Sequence, residues 1–375
     1  MIVRFFRLPQ SESSALLCGP RGTGKSRWVR HALADCWVID LLQSDVYLDY
    51  AARPSLLRER CLARRLQGPV VVDEIQELPH LLDEMQWLID NQKIQFVATS
   101  SNPRKLNPGR LSVLEMRPLT LQEVVAFSPW DNLKQLMVSG LMPSHFLSAD
   151  PCEELRFYVG KYLKEQVSGV QNVAAFSTFL RTLAVANGEL LNHEDTARAV
   201  GVSAKVTRTY FALLEESLWG FRLSPSKQGK ERRLVKTEKF YLCDVGLASW
   251  LAGRKPEPGT PEFAQALHHL ILLELMAYRS YRKPNLDITF WRTAGGREVD
   301  FLVDERRLAI EVKASAMVYE SDLKELTALR EEAPVGRRVV VSLSLQPGEI
   351  KDRFGPVSIL PLADFVAQLW ADQLV

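Results

Sequence analysis

Gly19, Pro20, Arg21, Gly22, Thr23, Gly24, Lys25 and Ser26 fit the pattern G-x-x-x-x-G-K-[ST] in full. Glycines at this spacing let successive backbone N–H groups turn inward on phosphates, and a following helix adds its partial positive end. Lys25 is then placed to reach the β- and γ-phosphates of ATP, and the Ser26 hydroxyl to ligate Mg²⁺. A second apolar run, Val70-Val-Val, ends in Asp73 and Glu74. Carried to the same edge of a sheet, Asp73 would hold the Mg²⁺ and Glu74 would orient or deprotonate the attacking water. Binding alone has no use for the second carboxylate, so the tandem points to hydrolysis.

A second constellation lies near the C-terminus. Glu298-Val-Asp-Phe-Leu-Val303 and Leu308-Ala-Ile-Glu-Val-Lys313 flank the polar turn 304–307. Their alternation predicts two antiparallel strands joined by a four-residue loop. In that register Val303 faces Leu308 and Asp300 falls opposite Glu311, with Lys313 on the face of Glu311. Opposed like charges destabilise a sheet. A hard divalent cation between them, Mg²⁺ or Mn²⁺, converts repulsion into ligation. The bland alternative is a hairpin that happens to carry two acids and a lysine.

Elements able to position these groups are legible. Ser14-Ala-Leu-Leu-Cys18, Trp37–Leu41, Val70–Val72 and Gln95–Thr99 read as strands alternating with amphipathic stretches, the pattern of a parallel sheet with crossover helices. From about Leu121 to Glu216 helical spacing dominates. Glu194–Val200 stops at Gly201, and Ser203 can cap a second helix running to Glu216, which gives a helix-turn-helix pattern. Lys205, Thr207, Arg208 and Tyr210 could face a DNA groove from that helix. Lys227, Lys230, Arg232, Arg233, Lys236 and Lys239 then follow among only two acids, either a phosphate-contacting wing or a solvated face.

The 375 residues carry 47 Lys and Arg against 45 Asp and Glu, which excludes a uniformly basic polyanion binder but not a local basic patch. Five scattered cysteines without a C-x-x-C pair form neither a disulfide framework nor a zinc ribbon. Adjacent His268 and His269 have no Cys or His at ligand spacing. No apolar run approaches the roughly 20 residues that span a bilayer. A cytoplasmic protein of α/β class with no membrane partner is expected.

The strand end Thr99-Ser-Ser-Asn102, followed by Gly109-Arg110 and Pro118-Leu119, resembles the AAA+ ATPases. That resemblance implies a γ-phosphate sensor at Ser100, with Asn102 second. It also implies an arginine finger at Arg110 acting across a subunit interface, hence a homo-oligomer; Arg104 and Arg117 compete for that role. The C-terminal hairpin resembles the PD-(D/E)XK nuclease superfamily, which implies metal at Asp300, Glu311 and the carbonyl between Glu311 and Lys313. There Lys313 supports the attacking water and Glu274 adds a helical glutamate; the usual proline before the aspartate is Val299. Together with Lys239-Phe-Tyr-Leu-Cys-Asp-Val-Gly-Leu247, these motifs in order resemble a large prokaryotic family of ATP-binding proteins. The family implies an AAA+ P-loop domain over 1–125, a helical and winged-helix domain over 126–255, and a restriction-endonuclease-like domain over 256–375. Two functions stay open. One is an ATPase driving a DNA-directed activity that extends to metal-dependent cleavage. The other is a nucleotide switch that binds DNA or a protein through an inert C-terminal fold.

Overall fold

The computed structural model describes residues 2–8, 13–66, 68–103, 106–127, 132–166, 172–227 and 234–375. They form two compact units, Val3–Pro118 with Ala212–Trp219, and Leu119–Phe211 with Gly220–Val375.

The first unit is built on five parallel strands. These are β1 (Ala15–Cys18), β2 (Val38–Asp40), β3 (Val70–Asp73), β4 (Phe96–Ser100) and β5 (Ser112–Glu115), in the order β2-β3-β4-β1-β5. The strands β1, β3 and β4 are buried throughout, and their unbroken apolar runs are what a sheet covered on both faces requires. Leu16, Val70, Val72, Ala98, Met85 and Leu88 share one core. Since β1 pairs with β4 on one side and β5 on the other, the connections diverge at its C-terminal end, the usual place for a ligand on such a sheet. The four expected strands are present. The fifth, β5, gave no signal because Ser112-Val-Leu-Glu115 is a short, partly exposed outer strand.

Helices His193–Val200 and Ala204–Glu216, the latter in the second unit as far as Phe211, meet at Gly201, whose φ of 75° favours a residue without a Cβ, and Ser203 Oγ accepts Val206 N at 3.3 Å. Phe176, Phe179, Tyr210, Phe211 and Phe240 pack ring against ring beside them. An antiparallel pair follows, β6 (Gly220–Leu223) and β7 (Lys239–Leu242).

A six-stranded mixed sheet completes this unit. Its strands are β8 (Ile288–Arg292), β9 (Glu298–Val303), β10 (Leu308–Lys313), β11 (Arg337–Ser342), β12 (Gly348–Asp352) and β13 (Gly355–Pro361), in the order β12-β13-β11-β10-β9-β8. The hairpin register is as expected, with Leu308 opposite Val303. The basic stretch also has a structural job. Ser226 N donates to Phe290 O at 2.7 Å, Phe290 N to Ser224 O at 3.2 Å, and Val235 N to Arg292 O at 3.0 Å, so both ends of the stretch run along β8. Lys230, Arg232 and Arg233 lie outside the described residues. No helix among the described residues is long and apolar enough to cross a membrane.

Candidate functional site

The chain turns from β1 into the helix Lys25–Ala32 through Gly22 and Gly24, with φ of 89° and 90°. Gly19 is fixed by proximity instead, since a Cβ there would sit 2.3 Å from Met116 O. Lys25 Nζ donates to Gly19 O at 2.8 Å and Pro20 O at 3.2 Å, folding the ammonium into the loop that encloses it. Burial pushes its pKa down, and the Glu74 carboxylate works against that shift.

Ser26 Oγ donates to Asp73 Oδ1 at 2.9 Å. Thr99 Oγ1 donates to the same oxygen at 2.5 Å and accepts Glu74 N at 2.9 Å. Thr99 therefore aligns both members of the acidic tandem from the neighbouring strand, a role its sequence position did not reveal. Burial raises the pKa of Asp73, while the bonds from Thr99 and Ser26 lower it. A hydroxyl and a carboxylate in direct contact beside a phosphate loop are a hard-oxygen donor set suited to Mg²⁺.

Glu74 sits in the left-handed region at φ 61°, an uncommon conformation for a residue with a side chain. Its Oε2 accepts from Gln76 Nε2 and, at 3.4 Å, from Ser101 Oγ. Ser100, the expected sensor, is fully buried and its Oγ accepts Asn102 N at 3.0 Å. The hydroxyl that meets Glu74 is that of Ser101. Arg110 is exposed, its side chain 71% accessible and 3.5 Å from Asp90 Oδ1, while Arg117 is buried against Glu115 at 2.7 Å. Arg104 lies outside the described residues.

At the second constellation, Val312 N donates to Asp300 Oδ2 at 2.7 Å and Lys313 Nζ to Glu311 Oε1 at 3.1 Å. The other oxygen of Glu311 is buried with no hydrogen-bond partner. Burial, reinforced by the Asp300 charge, pushes the Glu311 pKa up to about 8. An orphaned carboxylate oxygen facing a second acid is what one hard cation would satisfy, with Asp300 and Glu311 as its protein carboxylates. His268 enters this site unannounced. Its Nε2 lies 3.2 Å from Val312 O and its Nδ1 3.4 Å from Asp300 Oδ1. Sequence spacing hid it because its partners are 32 and 44 residues away, on β9 and β10.

Glu274 does not belong with this pair. Its Oε2 accepts Leu121 N at 2.7 Å and its Oε1 accepts Trp370 Nε1 at 2.6 Å. Six residues beyond His268 is about 240° around a helix, so the two side chains leave different faces. Among the described residues no three His, Cys, Asp or Glu side chains converge on a metal position. Glu274 is a fully buried structural acceptor, and burial raises its pKa to about 7.

Three stretches match known domain families. Residues 11–125 match an AAA domain, 131–258 a domain of unknown function (DUF8612), and 265–365 another domain of unknown function (DUF4143). Uncharacterized proteins of Mycobacterium tuberculosis and Mycobacterium bovis are each 25% identical over 383 residues, covering 96% of this chain and 80% of the relative. The parallel five-stranded sheet and its phosphate loop fit a P-loop AAA domain, which in general binds and hydrolyses nucleoside triphosphates.

Proposed function

We propose that the chain is an Mg²⁺-dependent ATPase whose nucleotide state drives a DNA-directed activity of its remaining parts. The observation that carries this is the contact of Ser26 Oγ with Asp73 Oδ1, with Lys25 folded into the adjoining loop and Glu74 next in sequence. Lys25 and the loop amides bind phosphate, Ser26 and Asp73 hold the metal, and Glu74 takes a proton from the water. Arg110, exposed and tethered only at the surface, meets the γ-phosphate of a neighbouring copy in a homo-oligomer. Steady-state ATP hydrolysis with Mg²⁺ tests the reading, and a Lys25→Ala variant that turned over at the wild-type rate would sink it.

Residues 126–255 would then act as a helical and winged-helix module presenting Lys205 and Arg208 to DNA. Residues 256–375 would act as a nuclease-like module that cuts with one Mg²⁺ or Mn²⁺ at Asp300 and Glu311, assisted by Lys313. Support comes from the unpartnered oxygen of Glu311. One contrary observation favours an inert C-terminal fold that serves as a scaffold. Val312 O, Asp300 Oδ2 and Glu311 Oε1 already have partners in His268, Val312 N and Lys313. Cleavage of DNA with Mn²⁺, lost in Asp300→Ala while ATP turnover is unchanged, decides for the nuclease. Absence of cleavage in both chains decides for the scaffold.

A further inference from the structure

Arg4 precedes the first strand and belongs to no motif of the sequence, yet its guanidinium joins the phosphate loop to the segment that follows β5. Its Nη1 donates to Thr23 O at 2.6 Å, and its Nη2 donates to Arg117 O at 2.6 Å and Pro118 O at 3.1 Å. All of these residues lie in the first unit. The segment at the far end of the fork is firmly held. Met116 is fully buried, and its N–H donates to Cys18 O at 2.7 Å.

The carbonyls of the loop are held by two different kinds of donor. Gly19 O and Pro20 O accept from Lys25, the ammonium that would turn to phosphate when a nucleotide binds. Thr23 O accepts from Arg4, whose second nitrogen is committed to the backbone of 117 and 118. Arg4 is therefore the holder that stays in place.

Thr23 O matters because of the peptide to which it belongs. In a planar trans peptide the C=O and the N–H point in opposite directions, so a carbonyl drawn to Arg4 turns the Gly24 N–H away from it. That N–H has no acceptor among the described residues. Gly24 sits at φ 90°, and glycine populates positive and negative φ about equally, so its own sterics do not stop this peptide from flipping. The bond to Arg4 does.

We propose that Arg4 is a positioning residue for phosphate binding, which holds Thr23 O so that the Gly24 N–H is aimed at the phosphate before a nucleotide arrives. The proposal rests on the reading of residues 19–26 as a nucleotide site, and it adds to that site a residue from outside the motif. Ordering the donor in advance removes a cost that binding would otherwise bear.

Titration calorimetry of the full chain with ADP and Mg²⁺ reports affinity and number of sites separately. Arg4→Met should bind ADP about tenfold more weakly with the number of sites unchanged, the scale of one lost hydrogen bond to a charged group. Arg4→Lys keeps the charge but lacks the planar fork that reaches both segments, and should fall nearly as far. Unchanged affinity in both variants overturns the proposal. Full recovery by lysine overturns it too, since charge near the phosphate would then suffice. Fewer sites at unchanged affinity also overturns it, because Arg4 would then hold the fold and not the donor. If the wild-type chain binds no ADP, the nucleotide reading fails together with the proposal.

Discussion

At the residue scale, Thr99 shows how one hydroxyl can set two carboxylates. It donates to Asp73 and accepts the backbone N–H of Glu74, so one side chain holds both the proposed metal ligand and the proposed base. Thr99→Val keeps the β-branched shape and deletes both bonds. ATP turnover should fall about tenfold or more, with ATP affinity changed far less. Glu74→Gln should be harsher, by about 10²-fold or more in kcat, in line with the loss of a general base. Single-turnover hydrolysis beside nucleotide binding separates the two effects. Glu274 makes a prediction in pH. Burial raises its pKa to about 7 in the folded chain, against 4.5 for an unperturbed glutamate. The folded chain therefore holds a proton that the unfolded chain has released, and stability falls as pH rises from about 4.5 through 7. The full effect is of order 3 kcal/mol. Glu274→Gln removes this titration, so the melting temperature of the variant relative to wild type should climb between pH 5 and pH 8. A constant difference would show that Glu274 does not titrate in this window.

At the element scale, the stretch Lys239–Leu247 is explained by packing as much as by chemistry. Asp244 Oδ1 caps the helix Val245–Leu251 by accepting Leu247 N at 2.9 Å, and Oδ2 accepts Leu141 N at 2.6 Å. Gly246 lies so close to the backbone of Gly140 that a Cβ would come within 2.3 Å of its nitrogen. Asp244→Ala removes a cap worth about 1 kcal/mol and leaves a buried N–H unpaired at a cost of about 1–3 kcal/mol. Urea unfolding should show a loss of about 2–4 kcal/mol with ATP binding retained below the transition. This division of labour also marks what was legible in the sequence. The phosphate loop, the acidic tandem, four strands, the helix-turn-helix and the hairpin register are local or periodic signals. Thr99, Gln76, Ser101 and His268 act through partners on other elements or through a turn whose shape the sequence does not print. Glu274 misled because the nuclease resemblance supplied a helical glutamate without its direction around the helix, and its two oxygens turn to Leu121 N and Trp370 Nε1 instead. The outer strand β5 was silent because its short Ser-Val-Leu-Glu run has no continuous apolar pattern.

At the scale of the whole molecule, the prediction concerns assembly. Arg110 is exposed and its contact with Asp90 spans 3.5 Å at the surface, where an ion pair contributes little. If it completes a neighbour's site, Arg110→Ala should lower ATP turnover by about 10³-fold while leaving the melting temperature unchanged. Mixing Arg110→Ala with Lys25→Ala, each inactive alone, should restore part of the activity, because some interfaces then pair an intact loop with an intact arginine. A mixture as inactive as its components would place the arginine's action within its own chain or remove it altogether.

The two outer strands of the six-stranded sheet meet the solvent differently. On β12 the sequence Gly-Glu-Ile-Lys-Asp alternates charge along an open border, which deters a stranger's backbone from pairing with it. On β8 the run Ile-Thr-Phe-Trp-Arg is apolar and aromatic, and unshielded it would template intermolecular β-pairing. The segments around Ser226 and Val235 occupy its free N–H and C=O groups instead. A stretch whose lysines and arginines suggested a grip on phosphates is thus also a guard against aggregation. Trimming it to weaken nucleic-acid contact would risk losing solubility first.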